Sequence, residues 1–568
     1  MKKYLQGKAP ALLLFAGSLS FFLTLIFYCR ATVLINDDGI GRSCSLLRFI
    51  KDGRVVTGPI CANALYYPLN SFIWEVLHLS PGQMHLQLAI ENAFFGALAI
   101  VAVYYIIMLL HGNRTVAVLT AVFQASCGFF LGMCTSCNDI IPAYSCSIWS
   151  LYFFFKYLKR PDDFFLLVKS GTLYAAALLL HWTIALPLAP AIGLGILITE
   201  APVVFKQKAA AVYILVVLLV LNIVANEINT TLADIIFPGK GVNTLWTGWS
   251  ADKMLVELVN SVSFLAPALV IKNPRLILGS AVGAEQRGLH LYQYHFFALL
   301  TIAILVYAAI AILRNKGFHL KVFSVLLVLY VFGSLMASYD QGYDPQFIIQ
   351  PMFILVVAVS FVFLSIVQIK RIGPFFRLAM CIIPILAILR ITVYYTNFYQ
   401  FRVDDERIER VQAIFDRVRS VKKTLFVIAL GNRFFQWGRY LAPGNEINYA
   451  LLPTEKMAFL EPGNKHLVYE YDSIFTSYSK PGYEIVIDSV CFSCPEKLAY
   501  SFGGYDLSAN LIDIGDYIKK NYAISETISF PGKTYYKIKR RSAATIAQEG
   551  EVAENNTGEA PAPLLSAK

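Results

Sequence analysis

Charged residues are scarce in this 568-residue chain: Asp, Glu, Lys and Arg together make up 15% of it, against about 25% in an ordinary soluble protein. Hydrophobic residues account for 57%, and the mean hydropathy is +0.58. A soluble protein of this size needs far more polar surface, so the composition excludes a soluble enzyme. It also excludes a disordered or collagen-like chain, and it is typical of a protein that crosses a membrane several times.

Two other features are missing. The sequence has no recognisable internal repeat, although such repeats are common in transporters. Its ten cysteines show no spacing with histidine that is typical of a zinc site. The pairs Cys134/Cys137 and Cys491/Cys494 have CxxC spacing but lack the flanks of a redox motif, so we expect structural disulfides or unoxidised thiols. For Cys491 and Cys494 we predict a disulfide if the compartment is oxidising.

Eleven apolar runs of about 18–25 residues are long enough to cross the ~30 Å hydrocarbon core of a bilayer. They lie at residues 10–30, 86–110, 115–133, 140–157, 164–181, 183–200, 209–226, 294–313, 320–337, 346–369 and 376–396. The first run has no cleavage site and is interpreted as a retained helix. A further apolar segment, Met254–Ile271, would invert every later loop if it crossed, so we interpret it as an interfacial or re-entrant helix.

Basic residues predict the orientation of these spans. The net charge is +11, and residues 1–397 contain 27 Lys and Arg against 16 Asp and Glu. Because this basic surplus lies in the membrane part of the chain, it does not indicate a nucleic-acid partner. With a cytoplasmic N-terminus, every inside loop carries Lys or Arg, whereas the short outside loops near 134–140, 181–183 and 338–345 carry none. This alternation predicts a multi-pass protein of the inner (plasma) membrane with a periplasmic or extracellular C-terminal domain.

Residues 1–396 are therefore predicted to form a membrane domain with long outside loops at about 31–85 and 227–293. Residues 397–542 alternate helical and strand patterns and are predicted to form an α/β domain. Its predicted elements are a helix at Asp404–Ser420, strands at Thr424–Ala429, around His466–Tyr471 and at Glu484–Asp488, a helix at Leu507–Tyr522, and strands at Ala523–Phe530 and Thr534–Lys539. Residues 543–568, rich in Ala, Glu, Pro and Gly, are expected to be disordered.

The first outside loop opens with an acidic pair, in Asn36-Asp37-Asp38-Gly39, directly after the first membrane helix. Two adjacent carboxylates at the edge of a bilayer repel each other and are costly to desolvate, which suits a general base or a divalent-metal site. Asp-Asp-Gly is also ordinary turn chemistry. The dipeptide alone leaves both interpretations open.

The same loop continues with Tyr66-Tyr67-Pro68-Leu69 between two amphipathic stretches, Ser45–Lys51 and Asn70–Leu79. In this order of elements the chain resembles the GT-C superfamily of glycosyltransferases, which use polyprenyl-phosphate sugars as donors and have an acidic motif after the first membrane helix. It is similar to bacterial enzymes that resemble dolichyl-phosphate-mannose-protein mannosyltransferase. Relatives that modify lipid A have Glu-Lys-Pro where this chain has Tyr66-Tyr67-Pro68, which argues against an aminoarabinose activity.

The resemblance implies an all-α polytopic membrane fold with an extracytoplasmic α/β domain, and it implies catalytic roles for Asp37, Asp38 and Asp139. Asp37 or Asp38 would deprotonate or orient the acceptor hydroxyl. Asp139 would lie close to this pair and share a metal with it, or it would cap the helix that follows; the two roles are compatible. His181 would lie at the floor of the donor cavity or anchor its helix at the membrane interface.

Donor and acceptor contacts are expected, on the same resemblance, from Tyr66, Tyr67, His181, Lys272, Arg275, Tyr343 and Asp344. Tyr343 and Asp344 fall where relatives have an acidic residue followed by Arg-Tyr. This chain has Gln346-Phe347 in place of Arg-Tyr, so an Arg–phosphate contact is not carried over. A simple turn is the alternative interpretation of this segment. Lys272 and Arg275 would supply positive charge for a phosphate, although such residues also serve as interface anchors.

The predicted function is transfer of a sugar, with inversion, from a polyprenyl-phosphate carrier to a protein, lipid or glycan acceptor on the extracytoplasmic face. The expected partners are that donor, an unidentified acceptor and the lipid bilayer. A divalent cation, Mg²⁺ or Mn²⁺, held by Asp37, Asp38 and Asp139 is the alternative to direct base catalysis. The alternative functions are a transporter or flippase of lipid-linked sugars and a polymerase or ligase of lipid-linked glycans.

Overall fold

A computed structural model describes residues 2–28, 46, 49–50, 65–78, 84–200, 202–227, 284–315, 317–339, 349, 353–394, 424–429, 448–452, 465–495, 508–530 and 533–542. The chain divides into two compact units, Met1–Val403 and Asp404–Lys568, and each is described by itself. The predicted helix at Asp404–Ser420, the segment Met254–Ile271 and the tail 543–568 lie outside the described residues.

The described part of the first unit consists of helices and their connections. The helices are α1 (Lys2–Tyr28), α2 (Tyr66–Leu77), α3 (Met84–His111), α4 (Arg114–Ser126), α5 (Gly128–Cys134), α6 (Ile140–Lys159), α7 (Phe164–Leu180), α8 (Trp182–Ala185), α9 (Leu188–Ile198), α10 (Val203–Glu227), α11 (Ala284–Asn315), α12 (Phe318–Tyr339), α13 (Phe353–Gln368) and α14 (Pro374–Tyr394). Each of the eleven predicted membrane segments overlaps with one of these helices or with two consecutive ones.

Among the described residues, four stretches are long and apolar enough to cross a membrane: Ala9–Phe27, Met84–His111, Val203–Val220 and Phe318–Leu335. Shorter apolar helices lie at Phe164–Leu180, Leu188–Ile198, Leu299–Arg314 and Phe353–Gln368. The protein is therefore a multi-pass membrane protein, as its composition predicts.

Two of the predicted spans are interrupted in the structure. The segment 115–133 contains α4 and α5, which are separated at Cys127, where the backbone is extended with φ −65° and ψ 125°. The segment 183–200 begins with the single turn α8, and α9 follows after Pro187, a residue that has no N–H to donate. Hydropathy averages over such breaks, so the apolar pattern alone does not reveal them.

Helix α3 forms the centre of the first unit, where α1, α4 and α6 pack around it. Close approach depends on glycine at two helix contacts. A Cβ at Gly96 in α3 would lie 2.4 Å from Cys134 Sγ, and a Cβ at Gly195 in α9 would lie 2.5 Å from Phe154 Cε1. Small residues at such contacts are typical of membrane helices, whose association depends on close packing.

Hydrogen bonds between hydroxyl-bearing side chains join α6, α7 and α10. Ser150 Oγ in α6 donates to the carbonyl of Ser170 in α7 at 2.9 Å, and Ser170 Oγ donates back to the carbonyl of Ser150 at 2.8 Å. Tyr213 Oη in α10 donates to Ser170 Oγ at 2.6 Å. Hydrogen bonds of this kind hold helices together in a membrane, each contributing on the order of 1 kcal/mol.

The second unit contains a five-stranded sheet with the strands β1 (Thr424–Ala429), β2 (Asn448–Leu452), β3 (Glu484–Asp488), β4 (Tyr522–Phe530) and β5 (Lys533–Arg540). Their order is β2-β1-β3-β5-β4; β1 pairs in parallel with β2 and β3, whereas β5 pairs antiparallel with β3 and β4. The helices are α15 (Lys465–Ser477), α16 (Ser489–Ser493) and α17 (Ser508–Asn521). Four of the strands and α17 were predicted from the sequence, and β2 was not.

The strand predicted around residues 466–471 is wrong, because this stretch belongs to α15. Its valine and tyrosines favour a strand by propensity, but burial follows a helical spacing: Tyr471 and Phe475, four residues apart, lie in the core, while Tyr469 is 71% exposed. Residues one helical turn apart share a face, and that face packs on the sheet.

Both cysteine pairs contain thiols in the structure, and the Cys491–Cys494 disulfide expected in an oxidising compartment stays a prediction. Cys491 lies in α16 and is buried in the core of the second unit, whereas Cys494 is the partly exposed C-cap of that helix. In the first unit, Cys134 faces Gly96 and Cys137 Sγ donates to the carbonyl of His85 at 3.1 Å. Each pair thus has its two side chains in different surroundings.

Candidate active site

Four of the predicted site residues lie together at the end of the first unit where α3 begins. Tyr66 and Tyr67 open α2, Asp139 ends the short loop between α5 and α6, and His181 precedes α8; all four are buried. The backbone N–H of Leu65 donates to the carbonyl of Leu179 at 3.0 Å, which fixes the start of α2 beside the end of α7. The structure thus brings together residues that are more than 100 positions apart in sequence.

Asp139 lies beside His181, with 3.8 Å between its Oδ1 atom and His181 Nε2. The two form an ion pair when the imidazole is protonated. Capping of α6 is performed by the preceding residue: Asn138 Oδ1 accepts hydrogen bonds from the backbone N–H of Ile140 at 3.0 Å and of Ile141 at 3.3 Å, while Asp139 makes no capping bond. The Asp139 carboxylate therefore does not cap α6.

An amide side chain from α3 holds the loop that carries Asp139. Asn92 Nδ2 donates to the carbonyl of Ser136 at 2.6 Å and to that of Asn138 at 2.8 Å. Asn138 Nδ2 in turn donates to the carbonyl of Met133 at 2.8 Å and to Ser136 Oγ at 2.9 Å. Because these groups are buried, breaking the bonds would leave backbone carbonyls unsatisfied.

The aromatic element from the first predicted loop is attached to the same place. Tyr66 Oη donates to the carbonyl of Asn138 at 3.5 Å, the long limit for a hydrogen bond. Asn70 Nδ2 donates to the carbonyl of Tyr66 at 3.0 Å. Gln87 Nε2 of α3 donates to the carbonyl of Asn70 at 3.0 Å and to its Oδ1 at 3.1 Å. Helix α2 is thereby held against α3 through polar contacts.

Glu91 was missed in the sequence analysis. It lies in α3, it is only 7% exposed, and neither carboxylate oxygen has a hydrogen-bond partner among the described residues. Asn70 and Asp139 are its polar neighbours. The signal was present in the sequence, since an ionisable residue inside an apolar span indicates function by default, but the mean hydropathy of the 28-residue helix conceals it.

The other predicted site residues lie outside the described residues: Asp37, Asp38, Lys272, Arg275, Tyr343 and Asp344. Within the described ranges, no three His, Cys, Asp or Glu side chains are close enough together to hold a metal ion. A cation held by Asp37, Asp38 and Asp139 therefore stays a prediction. What the described site contains is a buried carboxylate beside an imidazole and a second carboxylate nearby, a set that can orient or accept a proton from a hydroxyl group.

Comparisons with known proteins bear on the fold. No protein-family model matches the sequence, and no curated protein matches it. Solved structures do match: ArnT from Cupriavidus metallidurans bound to undecaprenyl phosphate is 10% identical, with 92% of this chain and 97% of that chain covered and a TM-score of 0.52.

The apo state of the same ArnT matches with 10% identity, 92% and 98% coverage and a TM-score of 0.53. An oligosaccharyltransferase from Archaeoglobus fulgidus, in complex with Zn and sulfate, is 14% identical, with coverage of 92% and 72% and a TM-score of 0.48. The likeness to ArnT extends over nearly the whole length of both chains and shows that the two proteins share a fold.

Proposed function

We propose that the protein is a membrane glycosyltransferase that moves a sugar from a polyprenyl-phosphate carrier to an acceptor hydroxyl on the extracytoplasmic face. The observation that carries the proposal is the buried Asp139–His181 pair, located where α3 begins in a chain that has the GT-C fold. The ArnT structure of that fold was determined with undecaprenyl phosphate bound, and this supports a donor of the same lipid class.

The described ends of the segment that contains Asp37-Asp38 support its inclusion in the site around Asp139. Near the end of α1, the ring of Phe22 lies 6.2 Å from that of Phe130 in α5, and α5 leads directly into the loop that carries Asp139. Helix α1 ends at Tyr28, nine residues before Asp37, and nine residues extend at most ~32 Å.

The other end of the same segment returns to the site. Phe49 lies eleven residues after Asp38, and its ring is 5.9 Å from the ring of Tyr67 in α2. The chain that contains the acidic pair therefore follows a helix that packs on α5 and leads to Phe49 beside Tyr67. This arrangement supports one site made from Asp37, Asp38, Asp139 and His181.

The proposed chemistry is a single displacement at the anomeric carbon. The acceptor oxygen forms the new C–O bond, the bond from the anomeric carbon to the phosphate oxygen breaks, and the phosphate leaves with the electron pair as polyprenyl phosphate. Attack from the face opposite the leaving group inverts the configuration. The hydroxyl proton passes to Asp37 or Asp38 as general base, and Asp139 with His181 positions the polar groups around them.

Lys272 and Arg275 are proposed to receive the phosphate charge, and Tyr343 with Asp344 to contact the donor or acceptor. Tyr66 and Tyr67 are proposed to line the site, since both belong to the buried start of α2. Should a divalent cation be required, the residues to hold it would be Asp37, Asp38 and Asp139, because carboxylate oxygens are the ligands that Mg²⁺ and Mn²⁺ prefer. If activity is lost with a chelator and returns with Mg²⁺ or Mn²⁺, these carboxylates hold a metal ion and do not act only as a general base.

The experiment uses the full chain in liposomes with radiolabelled undecaprenyl-phosphate sugars and a membrane extract as the source of acceptor. We expect the label to leave the carrier and enter a new product, with undecaprenyl phosphate as the second product. If no labelled donor is consumed although the protein is folded by circular dichroism and gel filtration, the proposed activity is wrong.

Glu91 favours one second candidate, a transporter or flippase of lipid-linked sugars. Ion-coupled transport needs an ionisable group inside the membrane, and Glu91 is such a group. The same liposomes distinguish the two functions: a flippase would move the intact labelled donor between leaflets without forming a new glycoside, and Glu91→Gln would abolish that movement.

A further inference from the structure

A groove opens on the surface of the first unit at the other end of α4 from the candidate active site. It has a volume of about 450 Å³ and lies between the first turns of α1, helix α4 and helix α14. Its walls are formed mainly by apolar side chains of α4 and α14, among them Val118, Leu119, Val122, Leu378, Ile382 and Ile385. The groove belongs entirely to the first unit.

The groove has the dimensions of a lipid chain in one leaflet. Along α4 it extends from Thr115 to Val122 and along α14 from Leu378 to Leu386. At 1.5 Å per residue these stretches are about 10 and 12 Å long, most of the ~15 Å that half a hydrocarbon core measures. Val122, Leu378 and Leu386 are 39%, 41% and 55% exposed, so the groove opens outward to the bilayer.

One charged residue lines the groove, and it lies at its polar end. Arg114 is the first residue of α4, its side chain is exposed, and Pro10 of α1 and Thr115 lie beside it. A guanidinium group binds phosphate oxygens through two parallel hydrogen bonds. A positive charge at the polar end of an apolar groove of this length is complementary to a lipid that has a phosphate headgroup and an acyl chain.

We propose that this groove binds one anionic phospholipid, with an acyl chain between α4 and α14 and the headgroup phosphate on Arg114. On the predicted orientation of the spans the lipid belongs to the cytoplasmic leaflet. The site is separate from the candidate active site, because α4 begins at Arg114 and α5, which follows α4, ends at the loop that carries Asp139. The proposal does not depend on the proposed transferase activity.

The test is native mass spectrometry of the full chain released from nanodiscs that contain equal amounts of phosphatidylglycerol and phosphatidylcholine. We expect one retained phosphatidylglycerol on the wild-type protein. Arg114→Gln should lower the ratio of retained phosphatidylglycerol to phosphatidylcholine about fivefold, the value of one basic residue near a lipid headgroup. The matched control is Arg314→Gln, because Arg314 is also an exposed arginine in a terminal helical turn but does not line the groove.

A second variant tests the apolar part independently of charge. Val118→Trp fills the groove and should remove the retained lipid whatever its headgroup, while Val118→Ile should retain it. The proposal is overturned if Arg114→Gln and Arg314→Gln give the same lipid ratio, or if Val118→Trp still retains one phosphatidylglycerol. Gel filtration and circular dichroism of each variant show whether it has folded.

Discussion

At the scale of single residues, the described site is organised by amides more than by charges. Asn138 caps α6, and Asn92 donates to the carbonyls of Ser136 and Asn138. Asp139 makes no capping bond and lies beside His181. The position of the Asp139 carboxylate therefore depends on residues that take no part in the proposed chemistry.

Asn92→Leu tests this dependence. The substitution removes a donor from the buried Ser136 carbonyl and leaves the Asn138 carbonyl only the long bond from Tyr66 Oη. We expect it to lower the free energy of unfolding by about 1–3 kcal/mol. Thermal unfolding in detergent measures the effect. Thr172→Val, which removes an exposed hydrogen bond within α7, is the control and should change stability by about 0.5 kcal/mol or less. Equal effects of the two substitutions would contradict the role given to Asn92.

Asp139→Asn separates function from capping. Because Asn138 already caps the helix, we expect the free energy of unfolding to change by less than about 1 kcal/mol, while transfer activity falls, though less than in variants of Asp37 or Asp38. Turnover and thermal unfolding are measured on the same preparation. A loss of stability as large as that of Asn92→Leu would mean that Asp139 is a structural residue.

The sequence predicted part of this site for reasons that can be named. Asp139 and His181 were predicted because they occupy positions at which a known superfamily has acidic and histidine residues. Glu91 was missed because one carboxylate hardly changes the hydropathy of a long helix. The role of Asn92 could not be predicted, since its bonds to the loop join residues that are more than 40 positions apart.

At the scale of elements, long apolar runs predicted the membrane helices well. A helix that crosses the hydrocarbon core needs about 20 consecutive, mainly apolar residues, and such a run is easy to recognise in a sequence. Local chemistry that breaks a run was not visible, as at Cys127 between α4 and α5. In the second unit, propensity suggested a strand at 466–471, whereas the contact of Tyr471 and Phe475 with the sheet core stabilises a helix. Whether such a short segment forms a helix or a strand depends on its tertiary packing.

Two glycines of α9 allow a test of helix packing with a control in the same helix. Gly195→Ala places a Cβ 2.5 Å from Phe154 Cε1 and 3.0 Å from Val325 Cγ2, whereas nothing lies within 4 Å of a Cβ at Gly193. We expect Gly195→Ala to destabilise the protein by about 1–3 kcal/mol. Gly193→Ala should be neutral or stabilising by up to ~1 kcal/mol. Thermal unfolding measures both, and the reverse order would contradict the packing of α9 against α6 and α12.

At the scale of the whole molecule, the chain shares the fold of ArnT although its identity to ArnT is 10%. A membrane fold tolerates this divergence because lipid-facing positions require only apolar character, while few positions are set by close contacts such as Gly96 and Gly195. The orientation of the fold is predicted from other residues, the Lys and Arg of the loops.

The orientation is testable with reporter fusions. A fusion at residue 542 should be active as alkaline phosphatase, which folds outside the cytoplasm, and inactive as a cytoplasmic fluorescent reporter. The basic loops predict this result, because eleven spans after a cytoplasmic N-terminus leave the second unit outside. A fusion after Arg160, in a predicted inside loop, is the matched control and should behave in the opposite way. Cytoplasmic activity of the fusion at 542 would contradict the orientation.

The central claim is that the acidic pair after α1 completes the site around Asp139 and His181 as the catalytic base. The most direct test is the turnover of purified Asp37→Asn and Asp38→Asn variants with a polyprenyl-phosphate sugar donor, beside the wild-type protein. Asn keeps the size and hydrogen-bonding capacity of Asp but does not accept the proton, so the variant that lacks the base should lose about 10²–10⁴-fold in turnover at unchanged thermal stability. Full transfer activity in both variants would contradict the account and assign Asp37-Asp38-Gly39 to an ordinary turn.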